Sequence, residues 1–128
     1  MNAEHELSEY VQHYLHELRK GDSENAWFSL IEANSSIVPL LENAYYQEND
    51  VSAKAQIIEI VSHHRLSASI EFLVNELENP EPCLWKAALD GLVSQRSQKS
   101  AEALQKFLAE TDDQERIEWV KEAIEQTR

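Results

Sequence analysis

The chain has 128 residues, 42% of them apolar and 27% charged, enough for one packed domain and unlike a disordered segment. Two Gly and three Pro argue against loop-rich or β-rich folds and for packed helices, and the single Cys excludes an internal disulfide. With 11 Lys and Arg against 24 Asp and Glu the formal charge is −13, which repels a phosphate backbone and sets nucleic acid aside as a partner.

No apolar run approaches the ~20 residues of a membrane span. The N-terminal MNAEHELSEY is acidic, unlike a secretory signal, so a cytoplasmic location is expected. The first helix is predicted from about Ala3 to Lys20, where Leu7, Val11, Tyr14 and Leu18 recur at helical spacing, with Tyr10 and Leu15 widening the stripe. Arg19 and Lys20 suit its C-terminal dipole, and Gly21 is placed to end it in a left-handed conformation. Asp22 or Ser23 then caps a short helix, Glu24 to Ala33, that buries Ala26, Trp27 and Leu30. Ser35 or Ser36 caps the next, with Pro39 in its first turn and Val38, Leu41 and Tyr45 along its stripe. Asn49-Asp50 opens a helix over Val51 to His64, and Leu66-Ser67 leads into another through about Glu78. Asn79-Pro80-Glu81-Pro82 is a break, with Pro82 as first residue of a helix to about Gln95. A helix follows over about Lys99 to Glu110, and Asp112-Asp113 caps a last one. About eight helices result, and no alternating segment reads as a strand.

These helices repeat. Leu30, Val61, Leu92 and Ile124 stand 31, 31 and 32 residues apart, each preceded by a small or medium apolar residue: Ala26, Ile57, Ala88 and Val120. Between them Val38, Ile70 and Ala101 correspond, as do Leu41, Leu73 and Leu104, and Tyr45, Leu77 and Leu108. A helix pair with an apolar face on each side cannot bury both alone, and stacking the next pair does so. Gly91, mid-helix, costs ~1 kcal/mol against Ala and is explained by close approach of a neighbouring helix.

The clearest copy, NPEPCLWKAALDGL (Asn79 to Leu92), resembles the HEAT-repeat pattern: a break with an acidic or Pro residue, an apolar-basic pair, Ala, then a small residue followed by Leu. Asn49 to Val61 and Asp112 to Ile124 match more loosely. The resemblance implies a single all-α domain over 1–128, a short right-handed α-solenoid of HEAT-like helix pairs. Residues 1–21 would form an N-terminal capping helix and 22–128 the repeats. The sequence departs from the pattern at Trp85, where the family usually places Arg, and at Asp90, an acid in a mostly apolar helix.

Chemistry is sparse. His5, Glu9, His13 and Glu17, with His16 beside them, have the spacing of a metal-binding helical face, but i, i+4 pairs on a solvated face explain them as well. No closing ligand stands in the repeats, so no metal site and no cofactor are assigned. His63, His64 and Arg65 sit at a helix C-terminus, where the dipole favours them. Cys83 opens a helix without a partner base, and the two glycines are too far apart for a phosphate loop. A non-enzyme is expected.

Surface recognition remains. Trp119 and Tyr45 fall on predicted buried stripes, whereas Trp85 and Tyr46 neighbour the stripe without being required by it. Partial exposure is expected of both, and exposed Trp or Tyr among acids suits a protein-binding anchor. Glu42, Glu71, Glu76 and Glu78 on the alternate helices, with Asp50, Glu81 and Asp112 in connecting turns, are the candidate acids. The resemblance places those helices on the concave side. The expected function is a module recognising a basic protein, in its most specific form an immunity protein that occludes a toxin domain and is monomeric when free. The alternative is a HEAT-like scaffold or assembly factor for an intracellular complex. An enzyme acting on DNA bases would need a basic concave face, against the net charge of −13.

Overall fold

The computed structural model describes residues 3–21 and 24–126, which form eight α-helices and contain no strand. They are α1 (Ala3–Arg19), α2 (Glu24–Glu32), α3 (Val38–Gln47), α4 (Val51–His64), α5 (Ile70–Glu76), α6 (Pro82–Gln95), α7 (Gln98–Glu110) and α8 (Gln114–Gln126). No helix is long and apolar enough to cross a membrane. The chain divides into two compact units, Met1–His64 and Arg65–Arg128.

In the first unit α1 packs on α2 and α3 on α4, with α2 also against α4 and α1 against α3. Two helix pairs thus share one core, filled by Val11, Leu15, Ala26, Leu30, Leu41, Tyr45, Ile57 and Val61, all buried. The second unit is built alike. Here α5 packs on α6 and α7 on α8, while α5 meets α7 and α6 meets α8. Its core holds Ile70, Leu73, Leu77, Ala88, Leu92, Leu104, Val120 and Ile124. Among the positions aligned by the repeat only Ala101 and Leu108 are half-buried, both on α7, and the others are buried. Gly91 is buried in α6, the helix that packs on three others.

Local chemistry sets the helix ends. Gly21 (φ +89°) ends α1 in the left-handed region, as its position predicts. The caps expected at Asp22 or Ser23 lie outside the described residues. Neither Ser35 nor Ser36 caps the next helix. A 3₁₀ turn, Ser35–Ile37, comes first, and its cap is Asn34, whose Oδ1 accepts from Ser36 N at 2.8 Å. Asparagine competes well for such caps, and Pro39 then lies in the first turn of α3. A second 3₁₀ turn, Ser67–Ser69, precedes α5, which ends at Glu76. Asp50 and Asp113 cap α4 and α8 by accepting from Ala53 N and Arg116 N, each at 3.1 Å. A capping box between Ser97 and Ser100 starts α7.

Two arginines take the place usually given to glycine. Arg65 follows α4 and Arg96 follows α6, with φ of +53° and +49°. A left-handed L-residue costs roughly 1–2 kcal/mol, so neither arginine is there for its backbone. The residues just before them bind backbone carbonyls earlier in the chain, one in the last turn of α2 and one in the segment after α4. His64 Nε2 donates to the Leu30 carbonyl at 2.9 Å, and Gln95 Nε2 donates to the Leu66 carbonyl at 3.1 Å. Because a carbonyl only accepts, Nε2 of His64 carries the proton, and Nδ1 meets the Ser35 hydroxyl at 2.9 Å. His64 is thereby a structural clamp, while His63 stands edge-on to Trp27.

Candidate protein-binding surface

In the first unit the candidate residues cluster at the end of α3 and the turn after it. Glu42 and Tyr46 are one helical turn apart and share a face. Glu42 is half-buried, and Tyr46 is 58% exposed with its ring edge-on to buried Tyr45. Lys54 lies over the Tyr45 ring, 4.4 Å from its centroid. Asp50 is exposed, but one carboxylate oxygen is engaged as the α4 cap.

Between Tyr46 and Asp50 stands an acid that pattern reading passed over. Glu48 is buried, accepts from Arg19 Nε at 2.7 Å, and accepts from Asn49 N and Asp50 N at 3.1 Å each. Burial pushes its carboxyl up. The hydrogen bonds from Asp50 N, Arg19 and Asn49 N, with the Arg19 charge, more than offset that and hold it below its ordinary value. Glu48 fixes the turn that presents Tyr46. The legible signal was an acid just after a helix end, three residues before the next helix, with no apolar role.

In the second unit Glu71, Glu78 and Glu81 are exposed. Glu76 is not. It is buried and accepts from Asn79 Nδ2 at 3.0 Å, bracing the turn after α5, so it is not one of the surface acids. Asp112 is exposed beside the Asp113 cap.

The two tryptophans exchange their expected places. Trp85 is only 3% exposed, whereas Trp119 is 42% exposed. Their rings meet edge to face with centroids 5.7 Å apart. Trp85 is covered because the Arg116 guanidinium lies 5.1 Å from its centroid and Lys86 Nζ lies 5.5 Å away. Arg116 in turn donates Nη1 to the Leu77 carbonyl and Nη2 to the Asn79 carbonyl at 2.8 Å. Lys86 Nζ also sits 4.4 Å over Trp119 and 3.8 Å from Glu115 Oε1. Sequence periodicity put Trp119 on the core stripe, but Val120 and Ala123 fill that direction and Trp119 is turned outward. Around it on α8 lie exposed Glu115, Glu118 and Glu122. The second unit therefore exposes the Trp119 ring, set edge to face on buried Trp85 with Lys86 over both, on a helix whose neighbouring carboxylates are exposed.

Elsewhere the chemistry stays thin. His5 pairs with Glu9 at 2.9 Å one turn on, and Cys83 is exposed in the first turn of α6. Among the described residues no three His, Cys, Asp or Glu converge as a metal site.

No family model, curated protein or solved structure matches the chain.

Proposed function

We propose that the chain is a non-catalytic, HEAT-like module, a short solenoid of stacked helix pairs, that recognises a basic protein in the cytoplasm. The most specific form of this reading is an immunity protein that occludes a toxin domain. A nuclease toxin is basic because it holds nucleic acid, and an acidic surface competes for the same cations.

One observation supports it most. In a chain of net charge −13, each unit exposes a large aromatic ring among carboxylates: Tyr46 beside Glu42, and Trp119 amid Glu115, Glu118 and Glu122. A rigid aromatic anchor with acidic neighbours suits Lys and Arg side chains, which stack on the ring and pair at its rim. Trp119 takes the anchoring role in place of buried Trp85, and Glu76 leaves the contact set.

The test captures partners on the immobilised protein at low salt and then follows the recovered complex kinetically as salt is raised. Electrostatic steering gives association rates that fall steeply over about 50–500 mM salt, while dissociation changes far less. Substituting Glu42, Glu71 and Glu78 together by Gln should reproduce that fall at low salt. A complex whose association ignores both salt and the triple substitution would remove the basic-partner reading and favour a scaffold or assembly role.

A further inference from the structure

The Arg65 and Arg96 pair is not used by the surface described above. Both arginines line one open groove of about 590 Å³ in the second unit, together with Asp90, Val93 and Ser94. Both are exposed and both hold the left-handed conformation that glycine takes at no steric cost. Each arginine is thus carried at a backbone cost. The chain carries more than twice as many acids as bases, so carboxylate partners are plentiful. Arg19, Lys86 and Arg116 each have one. Among the described residues no ion pair engages Arg65 or Arg96.

Near the groove the bias continues. Lys99 Nζ donates to Ser67 Oγ at 3.3 Å, two residues from Arg65 and three from Arg96. Ser94 spends its hydroxyl proton on the Gly91 carbonyl at 2.9 Å, which leaves its oxygen lone pairs and not a donor facing outward. Donors to an anion therefore come from the guanidinium forks. The carboxylate lining the groove is Asp90, and burial pushes it above its ordinary value.

We propose that this groove is a small-oxyanion site, in which the Arg65 and Arg96 guanidinium groups together hold a carboxylate or phosphate group. Two forked cations outweigh one carboxylate, and forked donors match the paired oxygens of such a group. Asp90 opposes the ligand and weakens the site.

The test titrates the whole chain with succinate and, separately, with inorganic phosphate, at ionic strength held constant with NaCl. Amide and arginine Nε–H signals are followed by NMR. Saturable shifts at Arg65, Ser94 and Arg96 with either probe are expected, and the stronger probe identifies which group the site prefers. Arg65→Gly and Arg96→Gly should each weaken binding about ten-fold or more while holding or raising the melting temperature, since glycine relieves the left-handed backbone. Asp90→Asn should tighten it. The proposal is overturned if neither probe saturates, if the glycine variants bind as the parent does, or if NaCl alone produces the same shifts.

Discussion

Arg116 offers a sharp test of how the aromatic pair is held. Its side chain is 13% exposed and reaches from the first turn of α8 to the chain leaving α5, where the Leu77 and Asn79 carbonyls lack helical donors. Arg116→Met keeps the aliphatic stem and removes the fork. A hydrogen bond from a charged donor is worth about 1.5–3 kcal/mol, and the stacking on Trp85 about 0.5–2 kcal/mol. The ion pair to Asp113, at 3.6 Å and half in solvent, adds little. These contributions share one group and do not add, and water recovers part of the Asn79 carbonyl, so about 3 kcal/mol is the expected loss. With a urea slope near 1.5 kcal/mol/M the midpoint should fall by about 2 M. Arg116→Lys reaches one carbonyl and should lose roughly half as much. Tryptophan fluorescence and far-ultraviolet dichroism would follow the same transition. A Met variant within about 0.5 kcal/mol of the parent, or a Lys variant equal to Arg, would refute the forked clamp.

Glu48→Gln should destabilise by about 1–2 kcal/mol near neutral pH. Because the folded carboxyl titrates below its ordinary value of 4.5, the stabilisation is present above that value and lost as pH falls through the lower folded one. The gap between the melting temperatures of parent and variant should therefore close in acid, and a constant gap would contradict it. Trp85→Ala should cost about 3–5 kcal/mol as a core truncation. Trp119→Ala should leave stability within about 1 kcal/mol yet weaken partner binding about ten-fold, read by calorimetry on the captured complex. Equal stability losses at the two positions would mean that Trp119 is a core residue after all.

Helix existence was legible because apolar periodicity and caps agree along most of the chain. Val51–His64 and Pro82–Gln95 are observed as read, the second because Pro82 suits a first helical position. The miss near Ser35 and Ser36 arose because three cap-competent residues stand in a row and Asn34, the first, takes the role through a 3₁₀ turn. Tryptophan placement failed for a different reason. Periodicity assigns a helical face to within one residue, and at α8 the buried face is satisfied by Val120 and Ala123 without Trp119. The burial of Trp85 depends on Arg116, 31 positions away, and no local pattern carries that. Glu76 looked like its exposed neighbours Glu71 and Glu78, and only the folded turn brings Asn79 onto it. The left-handed arginines were open to notice, since they share the 31-residue interval of the repeat.

The division at His64 also bears on how the chain is made. Within each unit the helices pair with partners close in sequence, and such topologies fold in microseconds to milliseconds. A ribosome adding about 5–20 residues per second needs roughly 3–13 s to deliver the 64 residues of the second unit after the first. The N-terminal half thus has thousands of attempts at its native packing before its successor is complete.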